Sequence, residues 1–317
     1  MNISQRAESE SIFRAVAAKD EARALALLQR ASRQLLNTRD GNGRTLLHCC
    51  AHHGLSTACN YLLNHPDFSL VTLAHANGQT ALHTAARKGH ASTCQLLLTH
   101  PRFFSSLGAR TQSGETALIC ASRAGHCHAC QVLLASEATA VDRNGKNALH
   151  VAAECGHVVV CSSLLGSGIY SGEAQSWNGQ TPLHAAAASG HRDVCQLLLG
   201  HPHFAATAGA REQDGMTCLH LATLRGHADV CKTLVQHPAF ASHIHAVDSA
   251  GRSVLSLASN NEVHAMLHSV TTPRCQRHGQ SAALAGSRTC NKQQQRRVAS
   301  QQPHWQQQQQ QQQCHAP

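Results

Sequence analysis

Apolar positions along this chain come in short paired clusters rather than in one long periodicity. Between Leu46 and Val235, each polar break is followed by a small-residue cluster, then a glycine, then a leucine-rich cluster. Ala81-Leu82 and Ala85-Ala86 form one such first cluster, and Cys94 with Leu97-Leu98 forms the second. Spacings of three and four residues place each cluster on one face of a short helix. The pattern predicts two helices per unit, with a tight glycine turn between them and a polar turn before the next unit.

The polar turns repeat in detail. Asn42-Gly43-Arg44-Thr45-Leu46-Leu47-His48 returns as Asn77-Gly78-Gln79-Thr80-Ala81-Leu82-His83, and again around Thr116, Asn147, Thr181, Thr217 and Ser253. These marker residues are separated by 35, 36, 31, 34, 36 and 36 positions. Each is Thr, Asn or Ser, whose side-chain oxygen accepts from the free amides of a helix start. Nine residues after each of the first six stands a glycine, from Gly54 to Gly226, suited to the left-handed conformation that ends a helix. The second helix carries Leu62, Leu97, Leu133, Leu164, Leu198 and Leu234. Three residues before each stands Cys59, Cys94, Cys130, Cys161, Cys195 or Cys231 on the same face. Four units add His-Pro-x-Phe, ending at Phe68, Phe103, Phe204 and Phe240. There the proline stops the second helix and the phenylalanine is expected to fold back onto the core.

Two helices and a turn every 34 or so residues, with T-x-L-H at the start of each unit, resemble the ankyrin repeat. The resemblance covers roughly Ile12 to His268 and implies an all-α solenoid of stacked helix-turn-helix units with β-turn or hairpin fingers. Eight units are counted. The first, Phe13 to Arg30, and the last, without its Gly-His pair, read as caps, whose outer faces meet water. The expected organisation is a flexible N-terminus over residues 1–9, a solenoid over 10–270, and a disordered, basic, glutamine-rich tail over 271–317.

Composition supports a thin layered body. Hydrophobic residues make up 42% but aromatics only 3%, fewer than one deep globular core draws on. The net charge is +9. The tail holds six bases and no acid, which leaves 20 bases against 17 acids, or about +3, for residues 1–270. That balance argues against nucleic-acid binding by the folded part and leaves it to the tail. Lys292 and Arg296-Arg297 could serve nuclear import. The fifteen cysteines are read as reduced, since six recur at a packing position, and a reducing intracellular setting follows. Met1 to Ser11 lacks the apolar stretch of a leader, and no run is long enough to span a bilayer. A cytoplasmic or nuclear location, no membrane association and a monomer are expected.

Most of the 26 histidines occupy fixed repeat positions, so metal binding is not expected. Cys127-x-x-Cys130 lacks a second pair at zinc spacing. No catalytic motif stands out, and neither an enzyme nor a cofactor is expected. The resemblance implies instead that a partner meets the fingertips and the exposed ends of the first helices, on the concave face. Those positions hold Arg44, His52, His53, Arg87, Lys88, Arg123, Arg143, Lys146, Trp177, Gln180, Met216 and Arg225. The strip is basic in its N-terminal half and more apolar in its C-terminal half. It suits a non-catalytic scaffold or adaptor for another protein, one with an acidic segment. The alternative is a nuclear cofactor that associates with nucleic acid through its tail. The resemblance also picks out Asn37, six residues before Gly43, as matching a position hydroxylated in some ankyrin repeats.

Overall fold

Six of the seven marker residues, all but Ser253, sit immediately before a helix, and those helices come in pairs. The computed structural model describes residues 3–75, 77–240 and 243–271. The first pair is Ile3–Ala17 (α1) and Glu21–Arg30 (α2), followed by a single turn, Arg33–Leu36 (α3). Then come Leu46–His53 (α4) with Ser56–Asn64 (α5), Ala81–Lys88 (α6) with Ala91–Thr99 (α7), and Ala117–Ala124 (α8) with Cys127–Glu137 (α9). Ala148–Glu154 (α10) pairs with Val158–Gly166 (α11), and Pro182–Ser189 (α12) with Arg192–Leu199 (α13). A short helix, Pro202–Ala206 (α14), precedes the pair Cys218–Leu224 (α15) and Ala228–Gln236 (α16). The last unit has a single 3-10 turn, Leu255–Leu257, before Asn261–Thr271 (α17).

First helices pack on first helices, α4 on α6, α8, α10, α12 and α15 in turn, and second helices form a parallel row beside them. The result is the expected two-layer, all-helical solenoid of eight units, with no extended strand among the described residues. The fingers close through lone antiparallel bridges, as at Arg39–Thr45 and Val141–Asn147. One boundary differs from expectation. α1 is already helical at Ile3, inside the stretch assigned to a flexible N-terminus, because the first unit needs a full helix to cover α4. The expected tail, with its glutamine run, basic cluster and nucleic-acid role, lies outside the described residues apart from Thr271.

The repeated histidine explains how units join. In α4, the Thr45 hydroxyl accepts from the His48 amide at 3.3 Å and donates to His48 Nδ1 at 2.8 Å. The Thr45 amide also donates to Nδ1, completing a reciprocal cap. With Nδ1 accepting, the proton sits on Nε2, which donates to the Gln79 carbonyl of the next finger at 3.0 Å. His83 to Glu115 and His150 to Gln180 repeat the bond at 3.1 and 3.0 Å. Each of these three rings therefore fixes its own helix start and the turn of its neighbour.

The core is built as the spacing predicts. The six periodic cysteines are buried, as are their leucine partners and all four phenylalanines of the His-Pro units. The histidine of that motif also has a local role. In three copies its Nδ1 accepts from the amide two residues on, at 3.2 to 3.3 Å, which caps a free amide of the turn that the proline begins. Asn37 is fully engaged. Its amide nitrogen donates to the Arg33 and Asp67 carbonyls, and its oxygen accepts from the Ser69 amide and hydroxyl.

Candidate protein-binding strip

The fingers and the exposed ends of the first helices form one edge of the solenoid, and its backbone is tied at every unit. Within a finger, Asp40 Oδ1 accepts from the Asn42 and Arg44 amides, and Asp142 and Asp248 act in the same way. Between fingers, the Gln112, Trp177, Gln213 and Ser249 amides donate to the carbonyls of Asn77, Asn144, Asn178 and Asp214 at 2.9 to 3.0 Å. At the other side of the strip, first-helix carbonyls are satisfied across the unit boundary. His90, His126, His157, His191 and His227 donate through Nε2 to the carbonyls of His52, Arg87, Arg123, Glu154 and Ala188, at 2.9 to 3.1 Å. A partner would meet a preformed surface whose variable part is side chains.

The structure sorts the expected contact residues into three groups. Arg87, Lys88, Arg143 and Arg225 are exposed and make no ion pair among the described residues. Arg44, Arg123 and Lys146 are engaged within the chain: Arg44 with Asp40 at 2.7 Å, Arg123 with Glu115 at 2.6 Å, Lys146 with Glu154 at 2.8 Å. Gln180 donates to the Glu212 carboxylate at 2.6 Å. Met216, expected on the surface, is only 8% exposed, as suits an apolar side chain that gains by leaving water. Trp177 is 67% exposed, yet its indole lies over Gly145 of the preceding finger, where a β-carbon would come within 2.7 Å of it. It is packed on one face and open on the other.

His52 and His53 stand side by side with ring centroids 4.7 Å apart. Burial, then His53, Lys88, Arg44 and Arg87, push His52 down to about 4. Burial, then Lys19, Arg44, His90 and Lys88, lower His53. Both are neutral at pH 7, and the causes of their shifts map a crowd of positive charge around them.

Sequence reasoning missed the ion pairs that neutralise the middle of the strip. Glu115 and Arg123 stand eight residues apart, and Lys146 and Glu154 stand eight apart with the signs exchanged. That spacing, turn position to helix end in adjacent units, was the available signal. It also missed Glu137. Unit four has Ile119 where the other complete units have the capping histidine, and the buried Glu137 carboxylate accepts from the Leu118 amide there at 2.7 Å.

Among the described residues no three histidines, cysteines or carboxylates cluster in a way that could hold a metal ion. Cys130 is buried, and Cys127 is half-buried, its thiol near the Val159 carbonyl. No helix among the described residues is long and apolar enough to cross a membrane.

The sequence profile described as ankyrin repeats (3 copies) matches residues 12–106, 102–175, 136–208 and 160–248. This chain belongs to the ankyrin-repeat family. No curated protein matches the chain. Among solved structures, this ankyrin-repeat protein is similar to the ankyrin-repeat domain of Bcl-3, described as a unique member of the IκB protein family. The two are 26% identical with a TM-score of 0.59, covering 72% of this chain and 99% of that one. An ankyrin-repeat body of this kind is a protein-interaction domain, and its fold is typically non-catalytic.

Proposed function

We propose that this protein is a non-catalytic scaffold or adaptor that binds another protein along the strip formed by its fingers and first-helix ends. The observation that carries the reading is the pair Arg87 and Lys88. They lie exposed and unpaired on a backbone held rigid on both sides, next to Lys19, His52 and His53. Preorganised surface favours binding, because little conformational freedom is left to lose. Unpaired cations there select and steer an acidic partner segment. Arg143 and the open face of Trp177 extend the contact along the fingers. Aromatic and arginine side chains are the usual anchors of such interfaces.

The test is affinity capture from cell lysate on the intact chain and on R87E/K88E, with nuclease treatment and a salt series. A protein captured by the first and lost from the second supports the reading. Material recovered equally by both, and released by nuclease or salt alone, favours the nucleic-acid alternative and overturns it.

A further inference from the structure

Charge along the strip is graded, and the gradient specifies the occupant more closely than the word acidic does. At the N-terminal end, Arg87 and Lys88 have no carboxylate partner among the described residues. The nearby acids Asp40 and Glu115 are taken by Arg44 and Arg123. His52 Nδ1 is shut off from solvent with no hydrogen-bond partner among the described residues. In the middle, Glu115–Arg123 and Lys146–Glu154 neutralise themselves. At the C-terminal end the same two positions hold Gln180 and Ala188, then Met216 and Leu224. Leu224 is 40% exposed at its helix end. Arg225 is the lone cation there.

We infer that the strip takes one extended segment of a partner protein, with acidic residues over units two and three, uncharged residues over the middle, and a large apolar side chain over Leu224 and Ala188. This rests on the strip being the interaction surface. Four helix-to-helix steps separate α6 from α15. At ~8–10 Å per step they span about 32–40 Å, which an extended chain at ~3.3 Å per residue covers in roughly 10–12 residues. Self-paired charges in the middle offer little to a charged segment, so past unit three a uniformly acidic sequence meets on the strip only the separate cations Arg143 and Arg225. Charge complementarity at one end and burial of Leu224 at the other hold the segment in one direction.

The experiment is selection of displayed random 16-residue peptides on the intact chain, followed by binding of the recovered peptides to intact, R87E/K88E and L224E proteins. Melting temperatures are compared to establish that each variant is folded. Enriched peptides carrying an acidic cluster and an apolar cluster about 10 residues apart, in a single order, are expected. Each variant should weaken them about tenfold or more, and salt should weaken only the acidic-end contribution. Peptides that are acidic alone, lost on R87E/K88E and indifferent to L224E, overturn the inference and leave the strip as the interaction surface. Peptides indifferent to both variants overturn the inference and the interaction surface together. An absence of enriched sequences also overturns the inference.

Discussion

The imidazole of His90 occupies the space a side chain on Gly54 would need. A β-carbon built on Gly54 would stand 2.5 Å from His90 Nδ1, while Nε2 of the same ring donates to the His52 carbonyl at 3.0 Å. Gly54 is also in the left-handed region, with φ of 73°. Glycine is therefore required twice, by its own backbone and by the ring of the next unit. The same pairing joins Gly125 to His157.

Gly125→Ala should destabilise the protein by about 1–3 kcal/mol, since strain at positive φ adds to displacement of the histidine. Gly41, in a finger with open space around it, is the control, and Gly41→Ala should change stability by less than about 0.5 kcal/mol. Urea unfolding of both variants checks the pair.

Glu137 substitutes for a missing histidine from the far end of the same unit. Burial raises its carboxyl above the usual range, and the Leu118 amide opposes the shift. Glu137→Ala leaves that amide unpaired inside the protein and should cost about 1–3 kcal/mol. Glu137→Gln keeps an acceptor and should recover most of it. Equal losses for the two would contradict the capping role.

The buried capping histidines make folding sensitive to acid. Burial pushes His48, His150 and His184 down to about 4, with their carbonyl partners opposing. In the unfolded chain these groups titrate near 6.5. Below that pH the unfolded state takes up protons that the folded state refuses. Stability should hold above about pH 6.5, fall as pH drops from 6.5 towards 4, and level off below 4 as far as these groups contribute. Melting temperatures across pH 4–8 measure this, and a flat profile would contradict it.

The periodic cysteines should behave as core, not as chemistry. Burial drives the Cys94, Cys161 and Cys195 thiols up to about 12 and Cys130 up to about 11, which leaves little thiolate at neutral pH. Peptide mapping after alkylation of the native protein should find these four unmodified until denaturant is added. Leu133, fully buried beside them, should cost about 2–5 kcal/mol on truncation to alanine.

The fold was legible because each repeat position carries one physical demand. A marker must cap, a glycine must turn left-handed, a leucine must fill the same space, and substitutions at these positions keep the chemistry. The strip was legible only by position. Arg44, Arg123 and Lys146 look free in the sequence, but Asp40 meets Arg44 only through the turn of their finger, and Glu115 meets Arg123 and Glu154 meets Lys146 only when a finger folds against its own helix. Met216 is buried rather than exposed, since an apolar side chain gains by leaving water. Glu137 was hidden because a cap supplied from 19 residues away leaves no local pattern.

The central claim is that binding runs along the fingers and first-helix ends. It is tested most directly by titrating a captured partner into the intact chain, into R87E/K88E, and into D193K/K232E on the row of second helices. The account predicts an affinity lowered about tenfold or more by the first variant and unchanged by the second. Loss on the second-helix variant with full binding by R87E/K88E would place the partner on the opposite face and contradict it.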